Sequence, residues 1–231
     1  MSEKVREMFS EISPKYDMMN DILSFGIHRL WRRRVVKLLQ LNKKSEVIDL
    51  ASGTGDLAFA MQQVAGKVIG TDFCEDMLVV ARRKAKERNI DIEFKQADAM
   101  DLPFRDNQFD AATISFGIRN VDNVSKCLSE MARVVSPGGK VIVLEFGQPE
   151  GVISLFYKFY SKYIMPTLGR IFAGAGAAYT YLPETAAKFP CGDAFLQLMK
   201  DTQQYSEFKA YPLNSGIAFI YVGIVGEGRN A

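Results

Sequence analysis

Short apolar runs alternate with longer amphipathic stretches between residues 45 and 146. Short runs rich in β-branched residues predict strands, and apolar positions spaced three and four residues apart predict helices between them. The strands are predicted at 46–50, 67–72, 92–97, 109–114 and 140–145, with a turn at Ser136–Gly139 before the last. Strands that alternate with helices form a parallel sheet covered on both faces. The pattern therefore predicts an α/β fold with an open, doubly wound, Rossmann-like sheet.

The segments on either side of this core have a different pattern. Residues 1–44 predict a helical extension, with a capped break at Tyr16–Asp21. Residues 186–231 predict a helix near Ala194–Met199, followed by strands at 208–212 and 216–222. The length suits one large core rather than two, so we expect a single domain over residues 1–231.

An aromatic helical insertion is predicted over residues 151–185. Val152, Leu155, Phe156, Phe159, Tyr160 and Tyr163 fall on one helical face. Two interpretations stay open, a packed core face or a lid over an apolar ligand.

The charge balance gives no electrostatic reason to expect nucleic acid as the main partner. Lysine and arginine total 29 against 27 for aspartate and glutamate, a net charge of +2. Basic residues nevertheless cluster at Arg29–Lys37 and at Arg82–Arg88. Each cluster is either a solvated helix face or a contact for an anionic membrane or partner.

The cysteine and histidine content narrows the choice of site. Three separated cysteines, Cys74, Cys127 and Cys191, offer no pair for a metal or a disulfide framework and favour a reducing compartment. His28 is the single histidine, so no His-rich metal site is expected. No apolar run of about 18 residues and no apolar signal segment occurs, so we expect a cytoplasmic protein.

A glycine-rich turn at Asp49–Asp56 follows the first predicted strand and precedes a helix. Glycines such as Gly53 and Gly55 let the backbone turn tightly and approach a ligand closely. Asp72, at the end of the second strand, is placed to bind ribose hydroxyls. These features alone fit both a dinucleotide and S-adenosylmethionine.

Two acidic residues favour S-adenosylmethionine. Asp49, just before the glycines, suits a cationic ligand and would repel a pyrophosphate. Asp98, after the third strand, can accept a hydrogen bond from an adenine amine, a layout typical of class I methyltransferases.

Several ordered blocks resemble the C-methyltransferases of menaquinone and ubiquinone biosynthesis, over nearly the whole chain. The blocks are Tyr16–Asp21, Gly26–Trp31, Ser115–Val121, Pro137–Gly139, Leu144–Phe146, Tyr181–Leu182, Phe189–Pro190 and Gly216–Ala218. The chain departs from the family pattern at Ser52, where a glycine is common, and at Ala173–Ala178, where asparagine and aspartate often occur. The second departure leaves the quinone headgroup, benzoquinol or naphthoquinol, open.

The resemblance implies a set of site residues and a reaction. It implies cofactor contacts at Thr54, Asp72, Asp98, Ala99 and Ser115, with Arg119 beside the reacting ring. The expected activity is S-adenosylmethionine-dependent C-methylation of a demethylated prenyl quinol, most readily demethylmenaquinol. A small-molecule O- or N-methyltransferase, an NAD-dependent reductase and a non-catalytic binding module are the alternatives.

Carbon methylation requires a nucleophilic ring carbon held in line with the methyl group. Our hypothesis is that Arg119 orients a water that takes the quinol proton, and stabilises the phenolate, while Tyr16 adds a second hydrogen bond. In the alternative, both residues only brace the N-terminal helix. The apolar prenyl tail leads us to expect peripheral membrane contact through residues 151–181 and the basic N-terminal helix. A homodimer is compatible with the sequence, which does not decide the oligomeric state.

Overall fold

A seven-stranded sheet forms the centre of the computed structural model, which describes residues 3–169 and 176–227. Its strands are β1 (Glu46–Leu50), β2 (Lys67–Asp72), β3 (Glu93–Gln96), β4 (Phe109–Ser115), β5 (Val135–Phe146), β6 (Tyr205–Leu213) and β7 (Ala218–Val225). They lie in the order β3-β2-β1-β4-β5-β7-β6. The first five are parallel, and β7 runs antiparallel to both of its neighbours.

The order of the strands locates the place where a ligand binds. The chain winds outward from β1 through β2 to β3, and then returns to place β4 on the other side of β1. The loops that leave β1 and β4 therefore diverge to opposite faces of the sheet. Such a switch point opens a crevice at the carboxyl ends of the strands, where open α/β sheets bind their ligands.

The start of β5 differs from the prediction of a turn before the strand. Val135 already pairs with Phe109, and the next pair is Lys140 with Ala111. Residues 136–139 therefore bulge from within the strand instead of ending it, with Gly138 at a φ of +79°. Pro137 and the two glycines remain the cause, because neither continues a regular ladder.

Helices cover both faces of the sheet and extend from its edge. They are α1 (Glu3–Ile12), α2 (Tyr16–Ser24), α3 (Ile27–Leu39), α4 (Asp56–Gln62), α5 (Glu75–Glu87), α6 (Val124–Val134), α7 (Gly151–Phe159), α8 (Met165–Leu168), α9 (Gly176–Lys188) and α10 (Asp193–Asp201). One core contains Leu128 and Met131 of α6 together with Phe195 of α10. The other contains residues of α3, α4 and α5, such as Val35 and Leu78. The predicted doubly wound α/β architecture is confirmed.

The predicted break at Tyr16–Asp21 is wrong, because these residues open α2. Met19 and Leu23, four residues apart, are both buried and hold the helix onto the protein. The chain breaks on either side instead. A 3₁₀ turn at Ser13–Lys15 contains Pro14, and the helix ends at Phe25 and Gly26, whose φ angles are +49° and +73°.

The aromatic insertion is helical as predicted, but its aromatic face is not a packed core. Leu155 is 73% exposed, Phe156 71% and Phe159 59%. A π-helical stretch, Tyr160–Ile164, joins α7 to α8. Of the small-residue run Ala173–Ala178, residues 173–175 lie outside the described residues. Within the described ranges, no helix combines the length and apolarity needed to span a bilayer.

Candidate active site at the carboxyl ends of the strands

The glycine turn after β1 requires glycine for two different reasons. Gly55 has a φ of +86°, and a Cβ there would lie 2.8 Å from the ring of Phe94. Gly53 has a φ of +55°, but its Cβ would meet only the ring of Tyr16, at 3.9 Å. Gly55 therefore packs the turn against the protein, while Gly53 leaves its backbone open toward a ligand.

A cavity of about 70 Å³ lies in the crevice beside this turn. Gly53, Asp72, Asp98, Ala99 and Ser115, all predicted cofactor contacts, line it together. Apolar side chains complete the wall, including Phe73, Met77 and Val121. Residues from the ends of β1, β2, β3 and β4 thus meet at one place, although they are far apart in sequence.

The two acidic residues of this cavity are held by backbone amides. Asp72 accepts hydrogen bonds from the N–H groups of Gly53 and Cys74, both at 2.8 Å. Burial raises the pKa of Asp72, and these amides oppose the rise. Asp98 accepts from the N–H of Met100 at 2.9 Å. Each carboxylate is fixed in place and keeps lone pairs for a further donor.

Two hydroxyl groups near this cavity have no hydrogen-bond partner. Ser115 Oγ and Ser52 Oγ are both buried and unpartnered in the described structure. Buried polar atoms without partners are rare and mark places where a ligand or water completes the hydrogen bonding.

Asp49, Thr54 and Gly55, also predicted as cofactor contacts, do not line the cavity. Asp49 is 1% exposed, and its Oδ1 accepts from Thr113 Oγ1 at 2.6 Å beneath the turn. Its Oδ2 has no partner, and burial raises the pKa of Asp49 to about 7. Asp49 therefore lies beneath the turn and outside the wall of this cavity, and its contact with a cationic ligand stays a prediction.

Thr54 takes part in a buried ionic network that we call the Lys84 network. Lys84 Nζ donates to Asp17 Oδ2 and Asp56 Oδ1, both at 2.6 Å, and lies 3.3 Å from Thr54 Oγ1. Arg32 adds a bond of 2.7 Å to Asp56. Although burial alone would raise it, the two cations lower the pKa of Asp56. The network joins α2, α3, α5 and the glycine turn.

The Lys84 network corrects one interpretation of the basic clusters. Arg32 and Lys84 belong to runs that were compatible with solvated helix faces, but their side chains are only 13% and 10% exposed. Their neighbours Arg33, Arg34 and Lys86 are exposed. A run of basic residues thus contains both buried, ion-paired side chains and exposed ones, because successive residues of a helix point in different directions.

A second cavity of about 690 Å³ adjoins the first. Its walls are mostly apolar and come mainly from the N-terminal helices, α7 and α9, including Leu23, Trp31, Phe156 and Leu182, with Phe146 from the end of β5. Phe9, Tyr16 and Phe116 line both cavities. These three side chains are therefore the partition between the two.

Phe116 has an unusual backbone for an aromatic residue. Its φ is +56°, the left-handed region that side chains with a Cβ rarely adopt. Its ring lies 4.4 Å from that of Phe146 and 6.1 Å from that of Trp31, centroid to centroid. Such strain concentrates at functional sites, where the surrounding packing imposes it.

Arg119, predicted beside the reacting ring, lines the large cavity. Its guanidinium pairs with Glu145 at 2.8 Å and donates to the carbonyl of Phe116 at 2.6 Å. The two side chains are only 5% and 1% exposed. Burial raises the pKa of Glu145, while Arg119 and the amide of Phe146 pull it down. Arg119 Nε remains buried without a partner.

Three phenols surround this guanidinium. Tyr16 of α2, Tyr157 of α7 and Tyr181 of α9 all line the large cavity. Burial raises the pKa of each, and the positive charge of Arg119 opposes the rise in all three. The hydroxyl of Tyr181 also donates to Asn120, which lines the small cavity, at 3.1 Å. Arg119 and these phenols thus form a polar centre in a mostly apolar wall, whose other polar residues include Asn20, Ser24, His28, Arg32 and Asn214.

Sequence reasoning missed several residues of this site. Glu145 ends an otherwise apolar buried strand, and an acid in that position was a usable signal. Asp17 and Lys84 gave weaker signals, because each stands among other charged or polar residues.

The scan against family models matches residues 1–225 to the ubiE/COQ5 methyltransferase family. The chain belongs to this family. A ubiquinone/menaquinone biosynthesis C-methyltransferase of Bdellovibrio bacteriovorus is 50% identical over 96% of both chains. A demethylmenaquinone methyltransferase of Thermus thermophilus is 43% identical over 94% of this chain and 99% of that protein.

Solved structures share the fold at low sequence identity. A possible histamine N-methyltransferase of Thermotoga maritima has a TM-score of 0.69 at 20% identity, covering 94% of this chain and 98% of that one. A putative S-adenosylmethionine-dependent methyltransferase of Methanococcus maripaludis has a TM-score of 0.67 at 17% identity over both whole chains. Family membership confirms the predicted resemblance and enzyme class, and it disfavours the dinucleotide-dependent reductase.

Replacement of Lys84 by methionine tests the ionic network. Methionine keeps most of the side-chain volume but leaves Asp17 without its cation and Asp56 with Arg32 alone. We expect the free energy of unfolding to fall by about 1–3 kcal/mol, since buried charged groups lose a partner. Urea unfolding measures the change. Lys86→Met, on the exposed side of the same helix, should leave stability nearly unchanged, and equal effects of the two variants would contradict the network's role.

Replacement of Asp49 by asparagine tests the buried carboxyl. Because the pKa of Asp49 is about 7 in the folded protein and about 4 in an unfolded chain, the unfolded state releases this proton first. Its contribution to stability is complete below about pH 4 and is lost as the pH rises to about 7. The stability of Asp49→Asn relative to wild type should therefore rise by about 1–4 kcal/mol between about pH 4 and pH 7. Above about pH 7 this difference in stability should stay constant. Parallel stability curves for the two proteins across this range would refute the prediction.

Proposed function

We propose that this chain transfers the methyl group of S-adenosylmethionine to a ring carbon of a demethylated prenyl quinol, with demethylmenaquinol as the substrate. The observation that carries the proposal is the pair of adjoining cavities. The small one collects acidic and hydroxyl groups at the ends of the parallel strands, and the large one is mostly apolar, with the guanidinium of Arg119 among its few polar groups. Methyl transfer needs two such sites in contact.

The residues of the small cavity fit S-adenosylmethionine. Because all four line this cavity, we assign Asp72 to the ribose hydroxyls, Asp98 to the adenine amine, and the apolar side chains of Phe73 and Met77 to the faces of the purine ring. The unpartnered hydroxyl of Ser115 is available to the same ligand. When bound, this cofactor supplies an electrophilic methyl group on a sulfonium that leaves as a neutral thioether.

The small cavity, of about 70 Å³, is tight for a cofactor of this size. Phe9 and Tyr16 of the N-terminal helices line it, so we propose that these two side chains move aside when the cofactor binds. Tyr16 adjoins Asp17, which the Lys84 network holds.

The large cavity fits the ring and the first part of the tail of a prenyl quinol. Its lining is mostly apolar, which suits the tail, and its polar groups include Arg119 and the phenols of Tyr16, Tyr157 and Tyr181. Only the oxygens of the ring need such partners. A quinol bound with an oxygen at Arg119 lies beside Phe116 and Tyr16, and so next to the cofactor.

Arg119 and its three tyrosines stabilise a phenolate. The guanidinium is fixed by Glu145 and the carbonyl of Phe116, and it still has an unused donor at Nε. A positive charge fixed in an apolar cavity stabilises negative charge on oxygen as it develops. Arginine itself is a poor base, so Arg119 orients the oxygen, or a water bound to it, and does not keep the proton.

The names of the relatives support a naphthoquinol headgroup. The Thermus protein, like a Deinococcus radiodurans relative at 38% identity, is named a demethylmenaquinone methyltransferase. The Bdellovibrio protein is named for both ubiquinone and menaquinone. A benzoquinol is therefore the competing substrate.

The reaction is tested with the purified protein, S-adenosylmethionine and a panel of reduced quinones. The panel contains demethylated naphthoquinols and benzoquinols with short prenyl tails, together with a simple phenol and an amine. We expect the naphthoquinol to gain the mass of one methylene, with the new methyl group on carbon by NMR. Methylation of the phenol or amine in preference to every quinol would overturn the proposal.

The Arg119→Ala variant tests the polar centre. Cofactor affinity should stay close to wild type, because Arg119 does not line the small cavity. Turnover should fall by about 10²- to 10⁴-fold, the usual loss when groups that assist proton transfer are removed. Calorimetry and product formation measure the two effects. Arg83→Ala, at an exposed site on α5, serves as the control, and full turnover by Arg119→Ala would eliminate the assigned role.

We further propose that the enzyme takes its substrate from a membrane surface through an apolar rim formed by Phe25, Leu30, Leu155, Phe156 and Phe159. These side chains are between 58% and 84% exposed. The two parts of the rim are joined by Tyr160, whose ring lies 6.2 Å from that of Phe25 and whose hydroxyl bonds to the carbonyl of Leu23. Phe25, Leu30 and Phe156 also line the large cavity. Arg33 and Lys162, on the same helical segments as rim residues, are exposed.

The double variant Leu155→Ser/Phe159→Ser tests the rim. Neither residue lines the cavity, so activity on a short-tailed quinol should stay at the wild-type level. Vesicle binding should fall at least tenfold, because each side chain loses about 1.5–3 kcal/mol of apolar burial.

Sedimentation with phosphatidylcholine vesicles, with and without phosphatidylglycerol, measures the binding. Phe208→Ser, at an exposed position on β6, is the control. High salt should weaken binding only to the anionic vesicles, as expected where basic side chains contribute. Equal vesicle binding by the double variant and the control would rule out the rim.

A further inference from the structure

Methylation of a quinol carbon requires a group that accepts a proton from the ring hydroxyl, and this inference rests on the proposed function. Among the described residues that line the large cavity, there is no aspartate, glutamate, lysine or cysteine. Arg32 and Arg119 are permanent cations. His28 carries the basic nitrogen that remains.

The place of His28 in the fold brings it toward the reacting end of the cavity. It lies in the first turn of α3, and Trp31 and Arg32, three and four residues on, share its helix face. Trp31 contacts the ring of Phe116, which belongs to the partition. Arg32 bonds to Asp56 of the glycine turn. The imidazole thus lies one helical turn from two side chains that contact the site: Trp31, which contacts the partition, and Arg32, which bonds to the glycine turn.

The hydrogen bonds around His28 select one tautomer. Ser24 Oγ lies 2.6 Å from the carbonyl of Asn20 and 2.5 Å from His28 Nδ1. The hydroxyl has a single hydrogen, and only the hydroxyl can donate to the carbonyl. Nδ1 therefore carries the hydrogen in its own contact and donates it to Ser24. Nε2 is left with its lone pair.

Nothing in the described structure occupies this lone pair. Asp21 Oδ1 lies 3.6 Å from Nε2, beyond hydrogen-bond distance, and Asp21 is itself engaged by Arg29. Burial lowers the pKa of His28 to about 4, and the positive charges of Arg32 and Arg29 contribute to this lowering. The negative charges of Asp21 and Asp56 oppose it. The imidazole is therefore neutral at physiological pH and is a weak base, so it holds a proton only briefly and returns it readily.

We propose that Nε2 of His28 accepts the proton of the quinol hydroxyl. The O–H bond breaks, its electron pair stays with the ring, and an N–H bond forms at Nε2. The activated ring carbon bonds to the transferred methyl, and the sulfur keeps the electron pair of the broken bond. The ring proton then leaves to water as aromaticity returns, and Nε2 gives its proton back to the oxygen. One proton is released in total.

In this scheme His28 and Arg119 have separate tasks. Arg119 stabilises the negative oxygen and His28 removes the proton from it. Neither can replace the other, because the guanidinium has no lone pair to offer and the neutral imidazole has no charge.

The His28→Asn variant separates a proton acceptor from a structural brace. The asparagine amide can still donate to Ser24, so the junction between α2 and α3 keeps its bond, but no basic nitrogen remains. We expect kcat for the demethylated naphthoquinol to fall by about 10²- to 10⁴-fold. KM, cofactor affinity and the unfolding midpoint should stay near wild type. Lys37→Ala, at an exposed site on the same helix, is the matched control.

A second variant, His28→Ala, allows rescue by added imidazole. We expect turnover to recover saturably, and to follow the concentration of neutral imidazole as the pH is varied. Wild-type turnover in His28→Asn would overturn the proposal, as would an absence of rescue in a folded His28→Ala that binds cofactor. If the wild-type protein forms no methylated quinol, the proposed function fails instead, so the two failures are distinct.

Discussion

The ammonium group of Lys84 is the contact on which the arrangement of the site depends. A lysine in the interior is unfavourable unless oxygen atoms replace its water, and here Asp17, Thr54 and Asp56 supply them. Two of these lie on the glycine turn and one on the second helix. The same ammonium therefore shapes the cofactor loop and attaches the N-terminal extension to it.

The position of Tyr16 is a direct result of this attachment. It precedes Asp17, so the helix that the network holds also places the phenol between the two cavities. Phe116 completes the partition from the opposite side, in a strained backbone conformation that Phe146 and Trp31 stabilise by packing. Ionic contacts thus hold Tyr16 in the partition, and aromatic packing holds Phe116.

Much of the fold followed from the sequence, because local pattern and tertiary structure agree there. β1 and β2 were predicted at their observed bounds, since a buried parallel strand needs an unbroken apolar run. The helical nature of the described parts of 151–185 was also predicted, but not the exposure of the aromatic face. An apolar stripe has the same spacing whether it faces a core or a membrane surface.

The candidate site was predictable where function constrains residue type, and not where it depends on side-chain direction. Asp72, Asp98 and Ser115 converge as their positions at strand ends required. Asp49 was expected to face the ligand, but its carboxyl lies beneath the glycine turn and bonds to Thr113, its neighbour on β4. Phe116 gave no signal, because only the packing around it explains a left-handed aromatic residue.

The shared partition of Phe9, Tyr16 and Phe116 makes the two binding sites thermodynamically dependent on each other. A ligand in either cavity orders the same three side chains. The second ligand then binds without a further loss of their conformational entropy. The affinity of each ligand then rises in the presence of the other, and by the same factor in both directions. Cofactor and quinol bound together stabilise a closed site that neither produces as fully alone, which protects the activated ring from water until the methyl group is in place.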